Sequence, residues 1–180
     1  MDEYVDPATG RKYRLTHLGV SKVSLPLKID GVIVAIDLVV HYANHCYTRS
    51  RRPEEGEHLV LFRERLSDGT LDERIFCPLR WQFSKGLPAI VAALNQSLCY
   101  GGRNREIFYR VKSDIGGPST KGWYICGRLG VSAKRQQLFL SIRSIHHRTN
   151  QPHDIRRPGK RFYEILIPFY QAQKATYPWV

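Results

Sequence analysis

Apolar residues in the first half of the chain are arranged as strands joined by tight turns. LPLKI and VIVAIDLVVHY lie on either side of Asp30-Gly31, a dipeptide favoured in two-residue hairpin turns. Residues 32–40 are too continuously apolar for an edge strand, which predicts a central position for the second arm. EHLVLFRE and LDERIF, separated by a Ser-Asp-Gly-Thr turn, predict a second hairpin.

Helical spacing is clearest in residues 84–98. Pro88 is compatible only with the first turn of a helix, and Ser84 is a suitable N-cap just before it. The pattern therefore predicts the main helix over about residues 84–98. Its apolar face would consist of residues three or four positions apart, namely Leu87, Ile90, Val91, Leu94 and Leu98.

The second half of the chain returns to strand-like alternation. REIFYRVKS predicts one strand, and GWYICGRLGVS and QQLFLSIRSIHHR predict a long hairpin that turns at residues 133–135. KRFYEILIPF predicts a last strand that ends at Pro168. Simple alternation in the second arm of the hairpin gives two faces, one with Leu138, Leu140, Ile142 and Ser144, the other with Phe139, Ser141, Arg143, Ile145 and His147.

Two groups of hairpins around one helix predict an α+β fold with an antiparallel sheet, in a single domain that spans residues 1–180. Residues 1–99 would form near-neutral hairpins plus the helix, residues 100–163 a basic β segment, and residues 164–180 the strand end and a tail. No apolar run has the length of a membrane span. The four cysteines are far apart, and MDEYVDPATG is not a secretory signal, so we expect a cytoplasmic protein with reduced thiols.

Positive charge is concentrated in the basic β segment. The formal net charge of the chain is +12, yet residues 1–99 contain 13 Lys or Arg and 12 acidic residues. Residues 100–163 contain 14 Lys or Arg, ten of them Arg, and three acidic residues, a net charge of +11. Charge at this density attracts polyanions, and arginine favours bidentate contacts with phosphate or carboxylate.

The leading hypothesis is a nucleic-acid-binding protein that uses the long hairpin and the loop after it, with RNA ahead of DNA and no cofactor. Phe139 is a candidate for stacking on an unpaired base, because its predicted face also has Ser141, Arg143 and His147. An acidic protein surface is the alternative partner, in which case the chain would be an interaction or inhibitor module. The expected contact residues are Arg128, Lys134, Arg135, Arg143, Arg148, Arg156, Arg157, Lys160 and Arg161.

The segment HYANHCYTRSRR, residues 41–52, has the densest set of reactive side chains. Its simplest interpretation is a strand that runs out into a basic surface loop. A metal site would use His41, His45, Cys46 and Cys77, but these lack the paired spacing of zinc ligands. An enzyme, as a metal-independent endoribonuclease of toxin-like type, is the other alternative. Its candidate catalytic residues are His45, Tyr47, Arg49, His146 and His147.

Overall fold

The computed structural model describes residues 2–66, 68–101, 106–111, 122–148 and 159–177. Within these ranges the strands are β1 (Glu3–Val5), β2 (Lys12–Arg14), β3 (Ser21–Ile29), β4 (Val32–Tyr42), β5 (Thr48–Ser50), β6 (Val60–Arg65), β7 (Leu71–Phe76), β8 (Leu98–Gly101), β9 (Glu106–Val111), β10 (Gly122–Ser132), β11 (Gln137–Arg148) and β12 (Lys160–Arg161). The α-helices are α1 (Pro78–Ser84), α2 (Leu87–Ala92) and α3 (Phe162–Thr176).

Seven strands form the main sheet, in the order β12-β8-β9-β10-β11-β4-β3. All neighbours are antiparallel except β11 and β4, which are parallel. The predicted α+β class with an antiparallel-rich sheet is confirmed, as are the β3–β4 and β10–β11 hairpins. Asp30 and Gly31 both have positive φ, 48° and 86°, as the predicted tight turn requires. β4 lies inside the sheet, as its continuous apolar run indicated.

The predicted main helix is wrong in extent. Residues 78–98 form two short helices, a 3-10 turn and the first residue of β8. Pro88 lies in the first turn of α2, but it has no N–H to donate to the carbonyl of Ser84, four residues earlier. The helix therefore breaks there, and Ser84 becomes the last residue of α1 instead of an N-cap.

The longest helix is α3, in the segment that was predicted as a strand end and tail. The side chain of Glu164 accepts a 2.6 Å hydrogen bond from the backbone N–H of Arg161 and caps the first turn. Phe162 and Leu166, one turn apart, are 1% and 0% exposed. A short apolar run fits a buried strand or a buried helix equally well, and here packing selects the helix.

One face of the main sheet packs against α2 and α3 and forms the larger core, with Leu25, Leu38, Leu87, Leu138 and Phe162 among its buried residues. A smaller cluster joins β1, β2 and the three-stranded second sheet, whose order is β5-β7-β6. Tyr4, Tyr13, Tyr47 and Phe76 are its main buried residues. No helix in the described ranges has the length and apolar character needed to cross a bilayer.

A β-bulge changes the faces predicted for β11. Cys126 pairs with Ser144 and Gly127 pairs with Ile142, so Arg143 is an extra residue. Ile145 therefore points to the same core as Ile142 and is fully buried. Beyond the bulge, His147 lies beside Trp123 on the core side, whereas Ser144 and His146 face away from it.

Candidate nucleic-acid interface

Among the described residues, the second face of the main sheet, which we call the open face, lacks the cover that α2 and α3 give to the first. Strand register places Arg128 opposite Ser141, and Ser141 beside His41. Gly130 is opposite Phe139 in the adjacent row. These side chains are exposed or half-buried, whereas their neighbours along the strands, such as Leu129, Leu140 and Val40, are buried in the core. The alternation thus separates a helix-covered face from a polar face that includes the ring of Phe139.

Phe139 lies directly over the backbone of Gly130. A Cβ atom added at Gly130 would be 2.7 Å from Cζ of the Phe139 ring and 2.9 Å from Cε1. The glycine therefore allows the ring to lie against the neighbouring strand. Beside the ring is a shallow depression of about 370 Å³, lined by Val39, His41, Ser132, Arg135, Gln137, Phe139 and Ser141. It combines a planar apolar surface with hydroxyl, amide, imidazole and guanidinium groups.

Three of the predicted contact arginines belong to the open face. Arg128 is exposed in the same cross-strand row as Ser141, and Arg135 lines the depression from the β10–β11 turn. Arg143 donates to Glu106 at 2.8 Å, and Glu106 is the register partner of Arg128. One carboxylate therefore offsets part of the positive charge on this face.

The other predicted contact residues are spread more widely. Lys134 is exposed in the β10–β11 turn, and Arg148 is exposed at the end of β11. Lys160 and Arg161 form β12, three strands away from β10 and roughly 14 Å across the sheet. The Arg161 guanidinium donates to the carbonyl of Gln96 at 2.6 Å. The predicted residues Arg156 and Arg157 lie outside the described residues.

At one end of the open face, the 3-10 turn Asn44–Cys46 and α1 cover β11 and form a histidine cluster. We define this cluster as His45, Glu64, Arg80, Ser144 and His146. The Arg80 guanidinium donates to the backbone carbonyls of His45 and Thr48, at 3.1 and 2.6 Å, and to Nδ1 of His146 at 3.1 Å. It thereby joins two histidines that are 101 positions apart in the sequence.

Both ring nitrogens of His146 are used in hydrogen bonds. Because Arg80 is only a donor, Nδ1 of His146 accepts, and Nε2–H donates to the Ser144 hydroxyl at 2.9 Å. Burial, and after it the positive charge of the nearby Arg80, lowers the pKa of His146 to about 4. His146 is therefore a neutral, hydrogen-bonded ring that holds β11 to α1.

His45 is placed differently, because one side of its ring is held by a carboxylate. Nε2 of His45 lies 2.7 Å from Oε2 of Glu64, and the amide of Asn44 donates to the other carboxylate oxygen at 2.5 Å. Burial raises the pKa of Glu64, but the hydrogen bonds from Asn44 and His45 outweigh it, and the pKa is lowered. An ionised Glu64 thus accepts the Nε2 proton and fixes the orientation of the imidazole.

The remaining catalytic candidates from the sequence are not brought to this cluster. Tyr47 is 8% exposed and packs in the smaller core. Arg49 is paired with Glu55, and His147 lies beside Trp123 with ring centroids 5.4 Å apart. Asn44, Glu64 and Arg80, which orient the histidines, were missed because no spacing in the sequence links them.

The residues considered as metal ligands do not converge either. Cys46 is fully buried, its thiol faces the carbonyl of Ile142 at 3.7 Å, and burial raises its pKa to about 12. That environment also makes Cys46 a poor nucleophile. In the part of the chain that the structure describes, no three His, Cys, Asp or Glu side chains are grouped so that they could hold a metal ion.

Comparison with known proteins identifies a family. The sequence model of the YjaZ family matches residues 4–170, which is nearly the whole chain, so the protein belongs to this family. No significant match is found among curated proteins. None is found among solved structures.

Proposed function

We propose that this member of the YjaZ family binds single-stranded nucleic acid on the open face, with RNA preferred over DNA. The observation that carries the proposal is the Phe139 ring, which lies over Gly130 on the polar sheet face, close to the β10–β11 turn. Sheet-bound aromatic rings serve as stacking platforms for unpaired bases, and each stacked base contributes about 1–3 kcal/mol. Arginines at the margin of such a platform supply contacts to phosphate.

The positively charged arginines and the Phe139 ring lie close together on the open face. Arg128 is two residues from Gly130 on β10, and Arg135 borders the same depression as Phe139. A base stacked on Phe139 would therefore have guanidinium groups on two sides, within reach of the flanking phosphates. A flat face of this kind suits a single strand better than a duplex, whose bases are stacked inside.

The preference for RNA is supported by the groups in the depression. His41, Ser132, Gln137 and Ser141 offer donors and acceptors beside the ring. A ribose 2′-hydroxyl both donates and accepts hydrogen bonds, and DNA lacks it. We place the protein in the cytoplasm as part of the same proposal, since the buried thiols of Cys46 and Cys99 are compatible with a reducing compartment.

The proposal is tested by fluorescence anisotropy with a labelled oligouridylate and its deoxy equivalent. Phe139→Ala removes the stacking surface and is expected to weaken RNA binding by about 5- to 150-fold. Phe139→Tyr keeps an aromatic ring and should remain close to wild type. Equal affinities for all three proteins would contradict the role of Phe139. Binding only to an acidic protein, and not to either oligonucleotide, would favour an interaction module instead.

A further inference from the structure

The histidine cluster contains a group suited to proton transfer from a bound RNA. Nε2 of His45 faces Glu64, and Nδ1 has no hydrogen-bond partner among the described residues. The side chains of His45 and Glu64 are 28% and 34% exposed, so solvent and ligand reach them. A base oriented by a carboxylate, which is itself held by a third group, is the usual arrangement of an activated histidine.

His45 also lies next to the surface proposed to bind RNA. The backbone N–H of Ala43 donates to the carbonyl of Ile142 at 2.9 Å, which fixes the turn Asn44–Cys46 against β11. Ser141, the residue before Ile142, belongs to the open face, and Phe139 is two residues further back, roughly 7 Å along the strand. A strand of RNA that stacks on Phe139 and follows β11 therefore passes beside His45.

From this arrangement, and resting on the proposed function, we infer that His45 is the general base of a metal-independent cleavage of single-stranded RNA. Nδ1 of His45 takes the proton of a ribose 2′-hydroxyl, and the 2′-oxygen forms a bond to the adjacent phosphorus. The bond from phosphorus to the 5′-oxygen breaks, and the imidazolium donates its proton to this leaving oxygen. The products are a 2′,3′-cyclic phosphate and a 5′-hydroxyl end, with no change of oxidation state.

Neighbouring residues have distinct parts in this step. Glu64 and Asn44 are positioning residues, because they hold the ring with Nε2 towards Glu64 and leave Nδ1 available. Arg80 places a positive charge beside the site and favours the developing negative charge on the phosphorane. His146 has no catalytic part, since both of its ring nitrogens are occupied by Arg80 and Ser144.

The experiment follows cleavage of end-labelled single-stranded RNA by the full chain in the presence of a chelator. Wild type is expected to produce 2′,3′-cyclic phosphate ends and to leave the deoxy analogue intact. His45→Gln keeps a donor towards Glu64 but has no basic nitrogen, so kcat should fall by about 10²- to 10⁴-fold with unchanged RNA affinity. Glu64→Gln should lower kcat with KM unchanged. His58→Ala removes an exposed histidine elsewhere and serves as the matched control.

The outcomes separate this inference from the function on which it rests. RNA binding without cleavage by wild type would overturn the inference and leave the binding proposal intact. Absence of both would overturn both. Cleavage that persists in His45→Gln, or products without the cyclic phosphate, would assign the activity to another group or to a contaminant. Thermal melts of each variant verify that a loss of cleavage is not a loss of folding.

Discussion

The Nε2 atom of His45 lies 2.7 Å from the Oε2 atom of Glu64, and this contact links the turn after β4 to the second sheet. His45 follows β4 of the main sheet, whereas Glu64 is in β6, one of the two edge strands of the second sheet. The second sheet therefore positions the Glu64 side chain beside the turn Asn44–Cys46, which together with α1 covers part of β11. The open face and the oriented histidine lie side by side because Glu64 comes from the second sheet and His45 from the turn after β4.

His146 gives the fold a predictable response to acid. Its pKa is lowered to about 4 in the folded protein, against 6.5 for an ordinary histidine, mainly because of burial. Between these values the unfolded chain binds more protons, so the free energy of unfolding should fall as the pH is lowered through this window. Above pH 6.5 the ring is neutral in both the folded and the unfolded chain, so the stability that depends on neutral His146 is fully present. Since the imidazole is partly exposed, about 1.4 kcal/mol per pH unit is the upper limit of the slope.

The measurement is urea unfolding of wild type and His146→Gln across this window. The variant should have a shallower dependence on pH than wild type, and His58→Gln, which changes an exposed histidine, should follow wild type. Identical slopes for wild type and His146→Gln would show that the ring is not kept neutral by its surroundings.

Gly130→Ala tests whether RNA binding depends on the position of the Phe139 ring, independently of the stability of the sheet. The new methyl group would overlap the far end of the ring, so this half-buried side chain must shift. We therefore expect weaker RNA binding, while the free energy of unfolding changes by less than about 1 kcal/mol. Anisotropy and urea unfolding on the same preparation check both expectations. Unchanged affinity would mean that the ring does not contact RNA in its present position.

Leu166→Ala tests the packing of α3 against the main sheet. Leu166 is fully buried, so its truncation should lower the free energy of unfolding by about 2–5 kcal/mol. Gln171→Ala, at an exposed position of the same helix, is the control and should have little effect. A small effect at Leu166 would argue against α3 as a core helix.

Much of the fold follows from local patterns, and the exceptions have physical causes. Turn residues and apolar alternation were enough to predict the β3–β4 and β10–β11 hairpins, because both signals are local. The strand predicted at residues 160–168 was wrong from Phe162 onwards, because its apolar residues satisfy a buried helix as well as a buried strand. The bulge at Arg143 was not predicted either, because one extra residue in a strand does not change the composition of the segment.

The candidate site was less predictable than the fold. Residue type alone indicated His45 and His146 as candidate catalytic residues, and in the structure both are hydrogen-bonded to Arg80. Their partners come from β6 and α1, and nothing in a single sequence specifies which distant strand or helix will lie beside a loop. The same limit explains why Phe139 was a candidate for stacking but the role of Gly130 beneath it was not foreseen.

The central claim, that the open face binds RNA, is tested most directly by a salt titration of wild type and two charge-matched variants. Arg128→Gln/Arg135→Gln removes two charges from the open face, and Arg52→Gln/Arg65→Gln removes two exposed charges from the region of the second sheet. Between about 50 and 200 mM salt, the first variant should bind RNA more weakly, with a slope reduced by about 0.7 for each arginine, and the second should match wild type. Equal losses in both variants, or no binding by wild type near physiological salt, would contradict the claim.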